Sequence, residues 1–172
     1  PRTTMAGFPL CDDCDREYHD PRDRRFHAQP VACPVCGPRL ELLDGGGSSL
    51  ATGAAASDRA CKLIREGRIV ALKGLGGFHL VCDARSDEAV RRLRERKRRE
   101  AKPFAVMAQS LEAARKLCDL TPMEEAALVS PEAPIVLARF RSHGVCDAVA
   151  PRNPLLGLML PYTPLHHMLL RD

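Results

Sequence analysis

The sequence predicts an α/β protein, more closely an α+β one, in which a small cysteine-rich module precedes a twisted mixed sheet with flanking helices. The first 43 residues are rich in Cys, Pro, Asp and Arg and have few periodic apolar positions. A Gly-Ser run follows at 45–49, and from residue 58 short apolar runs alternate with segments of helical periodicity. These observations predict a module over 1–43, a flexible linker over 44–57 and a larger domain over 58–172.

The N-terminal module contains two C-x2-C pairs separated by 18 residues. The four residues are Cys11, Cys14, Cys33 and Cys36. Each pair can place two sulfur atoms on one cation, and the loop between them allows a closed tetrahedron. Because four protein ligands leave no open position, the spacing predicts a structural zinc site that takes no part in chemistry. Two disulfides or unpaired thiols are the alternatives, and His19 and His27 in the loop are expected to pack or face solvent.

The larger domain begins with a predicted helix over 58–66, because Ala60, Leu63 and Ile64 form an apolar stripe and Gly67 ends it. The apolar run 69–72 then predicts a short buried strand. A glycine-rich turn over 73–77 leads into a second predicted strand over 78–82.

Ser86 is predicted to cap the next helix, with Asp87 and Glu88 in the first turn, where negative charge suits the helix dipole. That helix ends before Pro103. The pattern then predicts a strand over 104–107 and helices over 110–118 and 123–128. A strand over 135–138, an apolar segment over 155–160 and a helix over 164–170 complete the order.

Charge and hydropathy limit the classes of partner. The net charge is +4, and between Arg91 and Lys102 there are eight basic residues and two acidic ones, which indicates an anionic partner, either a phosphate ester or a nucleic acid. No apolar run approaches the roughly 18 residues needed to cross a bilayer, and no signal peptide is present, so we expect no membrane contact. Four further cysteines stand alone, as in proteins of the reducing cytoplasm. The chain begins with Pro1 and stops inside a helix-like run, and we expect it to be a piece of a longer protein.

Several blocks of the sequence closely resemble the HypF family, the carbamoyltransferases of nickel-iron hydrogenase maturation. The stretch from Phe8 to Pro38 is similar to the second zinc finger of that family. The similarity continues, in order, through 73–80, 82–84, 96–97, 102–107, 131–137 and 159–167. The resemblance implies a zinc finger followed by the first part of a YrdC-like nucleotide-binding domain, which would be incomplete at its C-terminal end.

The resemblance also implies an activity. Members of the family are understood to convert carbamoyl phosphate and ATP, with magnesium, into carbamoyl adenylate. They then pass the carbamoyl group to the C-terminal cysteine of an acceptor maturation protein. In this scheme the YrdC-like domain forms the adenylate, and we expect the present piece to be inactive by itself. The alternative is a zinc-containing module that binds RNA, although aromatic residues for base stacking make up only 4% of the chain.

The resemblance places the nucleotide on basic residues. The segment 97–103 is similar to the Lys-x-Arg-Pro loop of YrdC-like domains, which implies phosphate binding by Lys97 and Arg99, with Lys102 nearby. Glu100 stands where the family usually has proline. Lys73, in the glycine-rich turn, is a further candidate for the nucleotide or carbamoyl pocket, and a plain tight turn is the alternative.

Other polar residues are expected to have structural roles. Four arginines of the basic segment are predicted to form a solvated helix face: Arg91, Arg92, Arg94 and Arg98. Three histidines are expected in the core or pocket wall because the reaction needs charge neutralisation more than proton transfer: His79, His166 and His167. Cys82 is predicted to be a buried small residue rather than a nucleophile.

Overall fold

Two units make up the chain in the structure, a computed structural model that describes residues 4–141 and 143–171. We call Pro1–Gly53 the finger unit and Ala54–Asp172 the sheet unit. None of the helices in the described ranges is long and apolar enough to cross a membrane.

The finger unit contains one helix and one hairpin. A 3-10 turn at Thr4–Gly7 precedes helix α1 (Asp12–His19), and strands β1 (Glu41–Leu43) and β2 (Ser49–Thr52) pair antiparallel. Helix α1 starts with three aspartates in its first turn, where negative charge is favoured by the helix dipole. Among the described residues of this unit whose burial is assigned, the only buried apolar side chain is that of Cys14.

The flexible linker expected over 44–57 is not what the structure has. The Asp44 carboxylate accepts hydrogen bonds from the backbone N–H groups of Gly46 and Ser48, each at 2.8 Å, and Gly47 adopts a φ of 87°. These contacts close the β1–β2 hairpin, because a short polar side chain can cap a turn and glycine tolerates positive φ. Strand β2 occupies the middle of the segment and a helix begins at Gly53.

The sheet unit alternates helices and strands as the sequence predicts, with bounds that differ by a few residues. The helices are α2 (Gly53–Arg65), α3 (Asp87–Lys97), α4 (Leu111–Leu117), α5 (Pro122–Leu128) and α6 (Pro164–Arg171). The strands are β3 (Val70–Lys73), β4 (Phe78–Val81), β5 (Ala105–Met107), β6 (Cys118–Asp119), β7 (Val136–Phe140) and β8 (Leu155–Met159).

The strands form a mixed sheet and a separate hairpin. The sheet has the order β5-β8-β7-β6, in which β5 and β8 are parallel and the other neighbours antiparallel, while β3 and β4 pair with each other. Val106 lies opposite Leu158, which lies opposite Val136 on the other side. The core lies in this sheet and the helices packed on it, and its largest buried members are Val90, Leu128, Val149, Leu156 and Leu158. The predicted mixed α/β architecture is confirmed.

Helix caps follow the predicted signals. The Ser86 hydroxyl accepts a hydrogen bond from the Ala89 N–H at 3.3 Å, which confirms the predicted N-cap of α3. Thr121 and Glu124 form a capping box at the start of α5. Helix α3 ends at Lys97, and its C-cap, Arg98, adopts the left-handed conformation with φ 48° and ψ 45°.

Candidate functional sites

The four predicted zinc ligands come together in the finger unit. Cys11 caps helix α1 and Cys14 lies in its first turn, while Cys33 and Cys36 flank a tight turn. The four sulfur atoms all lie within 4.8 Å of one another, with Cys11 and Cys33 Sγ 3.5 Å apart. Four thiolates around one zinc ion at about 2.3 Å would place the sulfurs about 3.8 Å from each other. The cluster therefore has the dimensions of a four-thiolate metal site.

The local backbone shapes the second half of the cluster. The Val35 N–H donates to Cys33 Sγ at 3.3 Å, and the Gly37 N–H donates to the Cys33 carbonyl at 2.7 Å. A Cβ at Gly37 would lie only 2.7 Å from that same carbonyl oxygen, so the turn requires glycine there. These contacts hold the Cys33 sulfur toward the rest of the cluster.

The thiols of the cluster have opposite pKa shifts. Hydrogen bonds from the backbone of Cys11 and Cys33 lower the pKa of the Cys36 thiol to about 6. Burial, followed by the hydrogen bonds of the neighbouring sulfurs, raises the pKa of the Cys14 thiol to about 12. Because adjacent thiolates repel, all four can ionise together only around a cation, which the donor set and spacing suit. No pair among the four has a disulfide separation of about 2.05 Å.

The two histidines of the finger unit pack against aromatic rings. The His27 ring stacks on Phe26 at 4.2 Å and on Tyr18 at 5.0 Å between centroids. His19 contacts the Tyr18 ring edge and its Nδ1 lies 2.9 Å from the Asp15 carbonyl oxygen. Neither ring is part of the sulfur cluster.

A cavity of about 390 Å³ opens in the sheet unit between strand β4, the end of helix α3 and strand β5. Most of the residues that line it are apolar, among them Phe78, Phe104 and Met159. Two lining residues have ionisable nitrogen, His79 and Lys97. An apolar cavity with a cation and an imidazole at its wall can bind a ligand with both an apolar ring and an anionic group.

The four predicted nucleotide-binding residues differ in how close they lie to this cavity. Lys97 lines it. The Lys73 ammonium lies 5.2 Å from the centroid of the Phe78 ring, and the Arg99 guanidinium 5.0 Å from that of Phe104, so each contacts an aromatic wall of the cavity. Arg99 also donates to the carbonyls of Lys102 and Pro103. Lys102 itself is exposed and does not line the cavity.

Two arginines of the basic segment differ from their prediction. Arg92 was expected on a solvated helix face, yet it is half-buried and donates to the Gly67 carbonyl at 2.8 Å. Arg94 was expected on a solvated helix face, yet its guanidinium is half-buried and donates to five backbone carbonyls. The position of Arg94 in α3 is the sequence feature that could have indicated its burial. Arg94 follows Val90 by four residues and precedes Lys97 by three, so all three side chains share one face of the helix. The positive charge alone favoured a solvent-facing position.

A hydrogen bond joins strand β4 of the sheet unit to the segment before helix α6. His79 Nε2 lies 3.0 Å from the Tyr162 hydroxyl oxygen, and its ring contacts that of His166. His166 is 1% exposed, and neither ring nitrogen has a hydrogen-bond partner among the described residues. Burial, followed by the charges of His79 and His167, lowers the pKa of His166. His79 lines the cavity and His166 is buried, as expected. His167 is exposed and does not line the cavity, so its expected position in the core or pocket wall is wrong.

Cys82 also lines the cavity, but its thiol is poorly suited to act as a nucleophile. Burial, with smaller contributions from Cys146 and Asp83, raises the pKa of its thiol to about 11. The thiol is therefore protonated at neutral pH, and a protonated thiol is a weak nucleophile.

Two family profiles match the chain. The profile described as HypF finger matches residues 10–43, and the one described as Telomere recombination, which covers Sua5, YciO and YrdC proteins, matches residues 62–172. The second match spans well over half of the chain.

Full-length relatives extend the similarity. The chain is 55% identical over 169 residues to carbamoyltransferase HypF of Rhodobacter capsulatus, covering 98% of this chain and 22% of the relative. It is 48% identical to the HypF of Synechocystis, covering 97% of this chain and 28% of the relative. The chain thus spans roughly a quarter of the length of the curated relatives it matches.

Solved structures agree. HypF of T. kodakarensis has a TM-score of 0.84 at 42% identity, covering 99% of this chain and 22% of that one. A full-length HypF in its phosphate- and nucleotide-bound form has a TM-score of 0.80 at 45% identity over the same shares. Sua5 of P. abyssi with L-threonine has a TM-score of 0.61 at 23% identity, covering 68% and 35%, and shows similarity of fold alone. The chain belongs to the Sua5, YciO and YrdC family, and its predicted kinship with HypF, through a HypF finger followed by a YrdC-like domain, is confirmed.

Proposed function

We propose that this chain is the zinc-finger and nucleotide-binding part of a carbamoyltransferase that acts in nickel-iron hydrogenase maturation. In this proposal the sheet unit binds ATP and carbamoyl phosphate and forms carbamoyl adenylate. The longer protein then transfers the carbamoyl group to the C-terminal cysteine of an acceptor protein. The observation that carries the proposal is the apolar cavity with Lys97 in its wall, beside the basic segment that resembles a phosphate-binding loop.

The chemistry explains why these residue types suit the cavity. Water must first hydrolyse carbamoyl phosphate to carbamate and inorganic phosphate. Adenylate formation then joins a carbamate oxygen to the α-phosphorus of ATP and expels pyrophosphate, so negative charge must be neutralised around several phosphates. Lys97 supplies a point charge at the wall, and Arg99 can offer a planar pair of donors to phosphate oxygens. Lys73 and Lys102 add cations further out. Magnesium, when bound by the phosphates, would neutralise part of the remaining charge.

A relative supports a nucleotide as the ligand. The full-length HypF of TM-score 0.80 was solved in a phosphate- and nucleotide-bound form. This supports our assignment because the backbone similarity covers 99% of the present chain. The position of the nucleotide on this chain remains part of the proposal.

We further propose that Cys11, Cys14, Cys33 and Cys36 bind one structural zinc ion. The sulfur spacing and the HypF finger match support this assignment. Four thiolates would saturate the ion, so zinc would hold the fold of the finger unit and take no part in transfer. All eight cysteines are free of disulfides in the structure, which supports a reducing cytoplasmic setting.

The test is ATP–pyrophosphate exchange stimulated by carbamoyl phosphate. We expect exchange in the protein made from the complete reading frame and none in the present piece alone. Lys97→Ala should lower the exchange rate at least about tenfold because a cation in a phosphate site is lost. Lys116→Ala removes an exposed lysine of helix α4 and is the matched control. Absence of exchange in the complete protein would refute the proposed activity.

RNA binding is the competing function. The finger unit has 6 basic and 8 acidic residues, so it offers RNA no net attraction. The sheet unit, with 20 basic and 14 acidic residues, has the excess of positive charge. Tight, strongly salt-dependent binding of RNA by the zinc-loaded protein, together with no carbamoyl-phosphate-stimulated exchange, would favour RNA over ATP as the ligand.

A further inference from the structure

The side chain of Arg94 connects two stretches of backbone beside the cavity. One stretch is the basic loop, which we define as residues 98–103, and the other is the pair Ala148 and Val149. Arg94 Nη1 donates to the carbonyls of Arg99, Glu100 and Lys102 at 2.9, 3.3 and 3.2 Å. Its Nη2 donates to the Val149 carbonyl at 2.9 Å, and its Nε to the Ala148 carbonyl. One guanidinium therefore bridges the loop to the segment that follows strand β7.

The backbone of Arg94 holds the same loop from the other side. Its carbonyl accepts a hydrogen bond from the Arg99 N–H at 3.0 Å, immediately after Arg98 reverses the chain direction in the left-handed conformation. The Arg94 carbonyl thus binds the start of the loop, and the Arg94 side chain binds carbonyls further along it.

The guanidinium also contacts a wall of the cavity. Its carbon lies 4.7 Å from the centroid of the Phe104 ring, and the Arg99 guanidinium lies 5.0 Å from the same centroid. Partial burial, followed by the charge of Arg99, lowers the pKa of Arg94, although a guanidinium remains charged at neutral pH. Two like charges beside one ring repel each other, and an anion in the cavity would reduce that repulsion.

We propose that Arg94 is the positioning residue of the basic loop: it fixes the loop backbone that follows Lys97, so that Arg99 is held in place for the phosphates of the ligand. The inference rests on the proposed nucleotide function of the cavity. Arginine suits the role because its five N–H donors form a rigid planar fork, whereas lysine has three donors on a compact ammonium group. Each observed hydrogen bond of the Arg94 guanidinium goes to a backbone carbonyl of the protein, so Arg94 acts on the ligand through the loop.

The experiment compares three variants of the zinc-loaded protein made from its complete reading frame. Arg94→Lys keeps the charge and loses the fork, and Arg94→Ala loses both. Arg96→Ala removes one exposed charge from the same helix and is the control. Three quantities are measured: the KM for ATP and kcat in pyrophosphate exchange, and hydrogen exchange of the amides of 98–102 without nucleotide.

We expect Arg94→Lys to raise the KM for ATP roughly 10- to 100-fold, the size of effect that follows a misplaced binding group, with a smaller change in kcat. The loop amides should exchange faster in both Arg94 variants and stay protected in Arg96→Ala. If Arg94→Ala fails to fold, Arg94→Lys still decides the question.

Several outcomes would overturn the inference. A wild-type KM in Arg94→Lys would mean that charge alone suffices. A raised KM with a fully protected loop would mean that Arg94 contacts the nucleotide directly. If the unmodified protein shows no ATP exchange, the proposed function fails. The loop amides would then still show whether Arg94 orders the loop.

Discussion

The finger unit and the sheet unit are stabilised by different means. In the finger unit Cys14 is the one buried apolar side chain among the described residues with assigned burial, whereas the sheet unit has a contiguous core around Leu156 and Leu158. The units also differ in charge, because the finger unit has a formal net charge of −2 and the sheet unit of +6, from 6 basic against 8 acidic and 20 basic against 14 acidic residues. The difference fits the division of roles that we propose, in which metal replaces a core in the finger unit and the sheet unit binds the anion.

The largest effect should come from removing a metal ligand. Cys14→Ser should abolish stoichiometric zinc binding and unfold the finger unit, because structural zinc contributes about 10–16 kcal/mol in zinc-finger peptides. Zinc content per chain and hydrogen exchange resolved by unit are the measurements. Cys146→Ser, a half-buried thiol of the sheet unit, should keep one zinc ion. A fully protected finger unit in zinc-free Cys14→Ser would show that metal does not replace a core there.

A smaller effect is expected at the glycine-rich turn of the sheet unit. A Cβ at Gly74 would lie 2.9 Å from His79 Nε2 and 3.3 Å from the Gly77 carbonyl oxygen. Gly74→Ala should therefore displace the His79 ring from Tyr162 and cost about 1–3 kcal/mol of unfolding free energy in urea. Gly76→Ala is the matched control, because a Cβ there meets no atom within 4 Å. Equal stability of the two variants would contradict the packing described for His79, and zinc content should not change in either.

Low pH should lower the stability of the sheet unit through His166. Its pKa is lowered in the folded protein, so below the unfolded value of 6.5 the unfolded state binds more protons. The stability of the sheet unit is therefore complete above pH 6.5 and falls as the pH decreases toward the folded pKa, by at most about 1.4 kcal/mol per pH unit for one proton. The groups that face His166 are His79, Tyr162 and His167.

The measurement is urea unfolding of the sheet unit from pH 7.5 to 5. His166→Leu should remove the dependence that His166 contributes. An unchanged pH profile in that variant would show that the buried imidazole is not the group responsible. Zinc release, followed in parallel, reports protonation of the thiolates of the finger unit.

The smallest effect should be a gain in stability. Arg98 adopts φ 48°, a conformation that costs a residue with a Cβ about 1 kcal/mol and that glycine adopts freely. Arg98→Gly should stabilise the sheet unit by up to about 1 kcal/mol in urea unfolding. Arg96→Gly, inside helix α3, should destabilise it by a similar amount. If Arg98→Gly were the less stable of the two, the left-handed helix end would be in doubt.

Strong periodicity made most of the sheet unit predictable. Val90 and Leu93 mark the buried face of α3, Ser86 marks its start, and the structure agrees with both. Helix α1 was not predicted because its buried side is a single cysteine, so it has no apolar period. The composition of the Gly-Ser run predicts a flexible linker, because composition alone does not show that the Asp44 carboxylate closes a turn.

The candidate sites were predictable to different degrees. The spacing of the cysteines is enough to bring Cys11 and Cys33 together, because each C-x2-C pair acts as a unit. The role of Arg94 depends on carbonyls of residues 148 and 149, far away in sequence, and no local pattern can show such contacts. Arg99 is predicted as a phosphate-binding residue from its loop, but no sequence pattern indicates its hydrogen bonds to the Lys102 and Pro103 carbonyls.

The parallel pairing of β5 with β8 has a consequence for the order of folding during synthesis. Among the residues that the structure describes, strand β5 pairs only with β8, which is made after helices α4 and α5 and strands β6 and β7. Until then Val106 and the backbone of β5 have no strand partner, which makes this interval the most exposed to aggregation. The proposed metal ligands of the finger unit end at Cys36. The finger unit can therefore bind its metal before strand β8, an inner strand of the sheet, has been made.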